Sequence, residues 1–235
     1  MIKNNKAMKK YILIAAAAVA STVSYAQVKF GPQVTANLGT AYIDPGSDEN
    51  FKKKPIAGFG VGVLAEIELS DKFSLRPSLN LLQKGVELKG TEEGDGGIGT
   101  VDFKITNNLF YAELPVVATY NVDLPNGKLF FGAGPSLGVG LFGKSKVSYT
   151  IKIPGFPDMT ESEKADAFKK DSDNGAGFKR MDVGAQAVAG IQWQNGLYVN
   201  AGYLHGFSNL VKDEDGSAYR NRSVQLSVGF LLGGK

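Results

Sequence analysis

The chain contains no cysteine and only one histidine and one tryptophan, and these absences narrow its chemistry. Without cysteine it can form neither a disulfide bond nor a thiolate metal site. After the first 26 residues, no stretch approaches the ~20 consecutive apolar residues that a membrane-spanning helix needs. The charge is nearly balanced, with 26 basic and 23 acidic residues, and nothing in it indicates nucleic-acid binding.

The N-terminal segment has the pattern of a secretory signal peptide. Four lysines lie within residues 3–10, an apolar run covers residues 11–20, and Ser24-Tyr25-Ala26 is a small-x-small cleavage site. A membrane anchor is the alternative, but the apolar run is too short to span ~30 Å of hydrocarbon. We therefore predict a signal peptide at residues 1–26 and one exported domain at residues 27–235, which holds 22 basic and 23 acidic residues.

Glycine is abundant, with 30 residues against a usual share of about 7%. In the stretch from Asn107 to Leu141, large apolar residues alternate with glycine, serine and a carboxylate. Successive side chains of a strand point to opposite faces. This stretch therefore predicts two strands, each with one apolar face and one face of small or polar residues. Transmembrane barrels require that combination, with lipid outside and a polar interior.

The same alternation recurs along the chain and predicts eight strands. Short turns at Ser70–Lys72, Pro125–Gly127 and Asn195–Gly196 alternate with long loops. We expect an all-β fold, an eight-stranded antiparallel transmembrane up-and-down β-barrel with long outer loops. The predicted strands are 28–40, 56–69, 73–84, two within 107–141, 180–194, 197–209 and 222–231, and the predicted outer loops lie near 41–55, 85–104, 144–178 and 210–221.

Two further patterns bear on the fold. Thr160-Glu161-Ser162-Glu163 is a capping-box pattern, which predicts a short helix over Glu161–Lys170 in the longest loop.

The main alternative fold is a soluble sandwich or lipocalin-like barrel, which would place the large residues inside. Periodicity cannot distinguish inside from outside, but a face made largely of glycine suits the narrow interior of an eight-stranded barrel.

The central stretch also resembles a known family. Residues 110–115 (FYAELP) and 131–138 (FGAGPSLG) are similar to paired motifs of the PorT-type outer-membrane β-barrel family, small barrels of the OmpA or OmpX kind. Residues 180–184, 203–210 and 221–230 fit the same pattern. The resemblance implies an eight-stranded barrel in the outer membrane of a diderm bacterium. One founding member is associated with protein secretion, while most members have no assigned activity.

Charged residues on the inward faces are the main candidate site. Charges in a narrow lumen are costly unless they are paired, so we predict an ion-pair network that fills the barrel. An ion or proton path is the alternative. Arg76 and Glu113, inward on adjacent strands, are the pair expected to touch. The predicted network comprises Lys29, Glu66, Glu68, Arg76, Glu113 and Asp182.

A lipid-modifying barrel enzyme is a remote alternative. His205 and Ser208 are three residues apart, so on a regular strand they point to opposite faces, and there is no G-x-S-x-G motif. We predict no catalytic residues, no cofactor and no metal site. The acidic runs at 92–95 and 213–216 lack the spacing of a calcium loop.

The predicted partners follow from the membrane location. Outer-membrane lipid surrounds the barrel, and Lys52, Lys53 and Lys54 are candidates to contact lipopolysaccharide phosphates if they lie at the outer rim. The outer loops are the expected surface for any protein partner. The sequence thus predicts a monomeric, non-enzymatic barrel with a structural or loop-mediated role, with a secretion accessory and a narrow channel as alternatives.

Overall fold

The structure, a computed structural model, describes residues 28–44, 52–93, 99–170, 175–211 and 218–233. The predicted signal peptide, residues 94–95 of the first acidic run and the whole run at 213–216 lie outside these ranges. Within them the chain forms nine β-strands and no α-helix, and no helix there is long and apolar enough to cross a membrane. The strands are β1 (Val28–Asp44), β2 (Lys52–Glu68), β3 (Phe73–Glu93), β4 (Thr100–Leu124), β5 (Gly127–Lys152), β6 (Met159–Asp166), β7 (Met181–Trp193), β8 (Leu197–Gly206) and β9 (Ala218–Phe230).

Eight of the described strands close into a ring. Each pairs antiparallel with its neighbours in the order β1-β2-β3-β4-β5-β7-β8-β9, and β9 pairs back with β1. Closure leaves no free strand edge within the ring. The predicted all-β, eight-stranded antiparallel barrel is confirmed. β6 stands outside the ring and pairs along β5.

The faces of the barrel wall are oriented as the sequence predicts. On β9, Val224, Leu226 and Val228 point outward with 55%, 53% and 40% of their surface exposed. Ser223, Gln225 and Ser227, which alternate with them, point inward and are buried. A soluble barrel would show the reverse, so that alternative is wrong. Comparable outward apolar residues on the other strands form a continuous band around the barrel, among them Phe30, Val34, Phe59, Val63, Phe73, Leu79, Leu114, Phe131 and Val183.

Aromatic residues mark both edges of this apolar band. At the short-turn end, Tyr120 packs against Phe73 and Phe131 with ring centroids 5.3 and 5.6 Å apart. At the opposite end, Phe110 and Phe142 stack at 4.7 Å. Aromatic girdles at both interfaces are typical of transmembrane barrels.

The short turns of one end lie where the sequence places them. Pro125 and Asn126 form the two-residue turn between β4 and β5. Between β7 and β8 the turn has three residues rather than two, because β7 ends at Trp193 and Gln194 joins the predicted Asn195-Gly196 pair. Gly196 has φ +92°, a conformation that glycine adopts without strain. Short turns belong to the periplasmic end of outer-membrane barrels.

The opposite end differs from the prediction. β3, β4 and β5 have 21, 25 and 26 residues, whereas ~9–11 suffice to cross a bilayer, so these strands continue well beyond the apolar band. Much of the predicted loops 85–104 and 144–178 is therefore strand. The predicted helix at Glu161–Lys170 is wrong, since residues up to Asp166 form β6. The backbone of β6 pairs with the free upper edge of β5, and this pairing outweighs a weak local helix signal.

Candidate functional site

The interior of the barrel carries the predicted charged residues in two buried clusters. The lower cluster lies towards the short-turn end and centres on Glu66 and Arg76, which are 0% and 3% exposed in their side chains. Arg76 Nη2 and Nε donate to Glu66 Oε1 at 2.7 and 3.0 Å. The guanidinium carbon also lies 3.6 Å from the ring centroid of Phe130, a close cation–π contact.

The lower cluster continues to the mouth of the barrel. Lys128 Nζ lies 3.0 Å from Glu66 Oε1 and 3.3 Å from Glu68 Oε1. Lys29 Nζ lies 2.8 Å from the same oxygen of Glu68. Gln192 completes the set, because its amide accepts a hydrogen bond from Arg76 and donates one to Glu66 Oε2 at 3.2 Å. Every charge in this cluster has an opposite partner.

An uncharged layer separates the two clusters. Tyr198 donates to Gln33 at 2.8 Å, and Gln186 donates to Gln225 at 2.9 Å. The hydroxyls of Thr35 and Ser227 share a hydrogen bond. The cavity enclosed by this layer has about 30 Å³, the volume of about one water molecule. The middle of the lumen is therefore filled by side chains.

The upper cluster centres on Lys84, whose side chain is 1% exposed. Its ammonium pairs with Glu113 and lies 3.2 Å from Asp182 Oδ2, and both carboxylates are buried. Asn221 Nδ2 donates to the same Asp182 oxygen at 2.9 Å. The ammonium is also 4.9 Å from the ring centroid of Tyr111.

An apolar plug closes the lumen above Lys84. The segment after β6 turns inward, and Phe168 packs edge-on against Tyr111 with ring centroids 5.8 Å apart. Gly140 makes room for this ring, since a Cβ there would lie 2.3 Å from it. Phe178 packs on Tyr219 at 5.0 Å. The plug comprises Ala41, Val86, Leu88, Leu109, Tyr111, Ala167, Phe168, Phe178, Leu210 and Tyr219.

The predicted Arg76–Glu113 pair is wrong. In the β3–β4 register Arg76 is opposite Val117, whereas Glu113 is opposite Asn80, so the two charges lie four positions apart, roughly 13 Å along the strands. Each finds a nearer partner, Glu66 for Arg76 and Lys84 for Glu113.

Two charged residues of the lumen, Lys84 and Lys128, are not part of the network predicted from the sequence. Lys84 has the same strand parity as Arg76, and Lys128 the same parity as the inward glycines of β5. Both stand near the expected ends of their strands, which explains the omission. Lys84 is the last residue of the predicted strand 73–84, and Lys128 directly follows the predicted turn at Pro125–Gly127, so strict alternation carried to the strand ends predicts both to point inward.

His205 and Ser208 form no catalytic pair. Ser208 Oγ accepts a hydrogen bond from the backbone N–H of Val183 at 2.9 Å. His205 Nδ1 lies 3.3 Å from the hydroxyl of Tyr203, and its ring packs near Phe207. Among the described residues, no group of three or more histidine, aspartate or glutamate side chains is placed to hold a metal ion.

The sheet beyond the apolar band presents a basic outward face. Above the Phe110–Phe142 pair, the outward alternation continues on β2 to β6, so residues directly opposite one another share this face. We call the first three rows above this pair, up to the row of Lys104, the outer lysine face. Its lysines, all exposed, are Lys52, Lys54, Lys89, Lys104, Lys144, Lys146 and Lys164.

Of the three lysines predicted to contact lipopolysaccharide, two belong to this face. Lys52 is directly opposite Lys89, and Lys54 is opposite Glu87. Lys53 instead turns to β1, where its ammonium donates to the carbonyl of Ile43 at 3.0 Å. Strand alternation explains this division of a consecutive run.

Carboxylates on or beside the face are few and ion-paired. The hydrogen bond from Lys104 holds the pKa of Glu87 below its ordinary value of 4.5. Higher on the sheet, the hydrogen bond from Lys152 lowers the pKa of Asp102, and the same contact raises the pKa of Lys152. The acids present thus remain charged at neutral pH, and they compensate only a minority of the lysines.

Comparison with known proteins identifies the family. The model of the outer membrane protein beta-barrel domain matches residues 18–212, which is most of the chain. The protein belongs to this family. It is accordingly a barrel of the bacterial outer membrane, and the apolar band faces lipid. A search of curated proteins finds no match.

Solved structures of small outer-membrane barrels are similar to this chain. Ail of Yersinia pestis, in complex with the heparin analogue sucrose octasulfate, is 12% identical, with 88% of this chain and 99% of that chain covered and a TM-score of 0.36. Neisserial surface protein A is 15% identical over 86% and 96%, with a TM-score of 0.34. OprG from Pseudomonas aeruginosa is 10% identical over 88% and 93%, with a TM-score of 0.33. None of these scores reaches 0.5, and the family assignment rests on the family model.

Proposed function

We propose that this protein is a non-conducting, non-enzymatic barrel that acts through the surface of its outer sheet. The observation that carries the proposal is the filled lumen. From the mouth upward it holds the lower cluster, the amide layer, the upper cluster and the apolar plug. An ion path needs continuous water, and the middle layer leaves room for about one molecule.

The remaining interior groups support a structural role. The charges of the two clusters are Lys29, Arg76, Lys84 and Lys128 against Glu66, Glu68, Glu113 and Asp182, so these eight sum to zero. Neutral overall and paired within each cluster, they fix the strand register rather than attract a mobile ion. An enzyme is disfavoured because Ser208 is engaged with the backbone of β7.

The proposal has three further parts that rest on sequence. Residues 1–26 export the chain and are removed, leaving residues 27–235 as the barrel domain. The motifs at 110–115 and 131–138 support membership in the PorT-type branch of its family. The outer sheet, being the part that extends farthest from the membrane, is where a protein partner would dock.

Conductance across planar bilayers tests the proposal. We expect the purified full chain to give no defined current steps under conditions in which a general porin conducts. Stable steps whose ion selectivity changes in Lys84→Met would show a path through the upper cluster and overturn the proposal. Chemical cross-linking in intact outer membranes, with reactive groups placed at exposed positions of β6, then tests for a protein partner at the outer sheet.

A further inference from the structure

We propose that the outer lysine face binds the phosphates of lipopolysaccharide in the surrounding leaflet. This inference deepens the proposed interaction role and rests on it. It extends the predicted contact from a run of three lysines to a two-dimensional site on five strands. Its basis is the position of the face, its unbalanced charge and the chemistry of its side chains.

The face begins where the lipid-facing band ends. Phe110 and Phe142 are the last outward aromatic pair, and the next outward pair is Asn108 with Lys144. Each further row rises roughly 7 Å along the strands, so the first three rows lie within about 20 Å of the band. These side chains project sideways from the barrel wall, as the lipid-facing residues below them do. What they meet is therefore the polar layer of the outer leaflet.

Like charges stand directly opposite one another on this face. Lys52, Lys89 and Lys104 form one row across β2, β3 and β4, and Lys146 is opposite Lys164 across β5 and β6. Directly opposed like charges destabilise a sheet, because their side chains start only about 5 Å apart. An anion placed between them would remove that repulsion.

The carboxylates of the same rows are too few to balance the lysines. In the three rows nearest the band, seven lysines stand against Glu87 and Asp166. Glu87 pairs with Lys89 at 3.3 Å and Lys104 at 2.7 Å, while Lys144 lies 3.9 Å from Asp166. Within the described part of the chain, the other four lysines of the face have no carboxylate within 4.0 Å: Lys52, Lys54, Lys146 and Lys164.

The chemistry of the face suits a phosphorylated sugar. Lysine ammonium groups bind phosphate as point charges, and hydroxyls in the same rows can donate to the remaining oxygens. A depression of about 660 Å³ beside Lys52, Lys89 and Lys104 is also lined by Ser148 and Thr150, and it is large enough for a sugar with its phosphate. The one carboxylate in its lining, that of Asp102, is paired with the ammonium of Lys152 at 2.8 Å. Lipopolysaccharide presents such groups at the height of the face. A soluble sulfated glycan would share the charge but not the location.

Removal of the three unpaired lysines of one row tests the inference. The full chain in zwitterionic detergent is titrated with lipopolysaccharide, and bound copies are counted by native mass spectrometry. In Lys54→Gln/Lys146→Gln/Lys164→Gln we expect binding to weaken about 100-fold, at about fivefold for each lysine charge near an anionic surface. Binding to the unchanged protein should also weaken as salt is raised. Arginine at the same three positions should retain the affinity within tenfold, since it keeps the charge.

A control with the same charge change uses exposed lysines elsewhere, Lys72→Gln/Lys169→Gln/Lys170→Gln, which should bind within threefold of the unchanged protein. All variants are first checked for the heat-modifiable gel shift of a folded barrel. Equal losses in both triple variants would overturn the inference, as would equal binding of intact and dephosphorylated lipopolysaccharide. Tighter binding of a soluble sulfated oligosaccharide than of lipopolysaccharide would assign the face to a glycan instead. If the barrel does not conduct but fails the lipopolysaccharide tests, only this inference is wrong. If the barrel conducts but passes the lipopolysaccharide tests, only the proposed function is wrong.

Discussion

Replacement of Lys84 by methionine is the sharpest test of how the lumen is held together. The ammonium is 1% exposed and serves two buried carboxylates, those of Glu113 and Asp182. Methionine keeps most of the length of the side chain but leaves both carboxylates without their cation. Breaking a buried ion pair by removing one partner costs about 3–5 kcal/mol. Asp182 keeps the hydrogen bond from Asn221, and we therefore expect a loss of about 3–4 kcal/mol in the free energy of unfolding.

The measurement is equilibrium unfolding of the barrel in lipid vesicles by urea, followed by the fluorescence of Trp193. This tryptophan lines the mouth at the opposite end of the lumen from Lys84, so its signal reports unfolding of the barrel rather than a local change. Linear extrapolation at constant slope gives the difference in free energy. Lys72→Met, in an exposed turn, is the matched control and should stay within about 0.5 kcal/mol.

A neutral triple variant separates charge from packing. Lys84→Met combined with Glu113→Gln and Asp182→Asn removes the unpaired charges together with the lysine. Replacing a whole buried ionic cluster by neutral groups is often close to neutral, so this variant should recover most of the loss, to within about 1 kcal/mol of the unchanged protein. The reasoning is refuted if Lys84→Met costs less than about 1 kcal/mol, or if the triple variant is no more stable than the single one.

Four further predictions follow from the same geometry. Arg76→Lys should destabilise by about 1–2 kcal/mol in the same unfolding assay, because lysine cannot keep both the fork on Glu66 and the stack on an aromatic ring; an unchanged midpoint would contradict it. Phe168→Ala should cost about 3–5 kcal/mol by emptying the plug, and a loss below 1 kcal/mol would mean that the plug is not packed. Leu226→Lys, on the lipid face, should lower the free energy of unfolding by about 2–4 kcal/mol. An unchanged free energy would mean that this position does not face lipid. Glu87 should titrate below pH 4.5 in carboxyl NMR. Its lowered pKa adds stability that is complete above 4.5 and is lost as the pH falls through the folded value, so a midpoint at or above 4.5 would contradict the ion pair.

The barrel wall was predictable from sequence because its pattern is local. Alternation with period two identifies the faces, and the small or polar residues of one face indicate which one is inside, as Ser223, Gln225 and Ser227 show on β9. The short turns were equally readable, since Pro125-Asn126 and Asn195-Gly196 carry their own conformational preferences. The one difference there is that Gln194 belongs to the second turn instead of to the strand before it.

The pairing of charges was not predictable, although the charged residues were. Inward position follows from parity along one strand, but partners depend on the register between strands and on the shear of the closed ring. Arg76 therefore meets Glu66 on one neighbour instead of Glu113 on the other. Lys84 and Lys128 were missed because strand ends, unlike strand centres, carry a weak pattern.

The sequence by itself determined a cysteine-free chain of alternating apolar and small or polar faces, the pattern that predicts a barrel with lipid outside. Those properties depend on each residue and its next neighbours, which the linear order contains. Only the tertiary structure decided that β6 would pair with β5 in place of a helix, that Phe168 would fold back over Lys84, and that lysines from five strands would share one outward face. Each of these joins segments far apart in the chain, and closure of the ring, which fixes the register of every strand at once, brings them together.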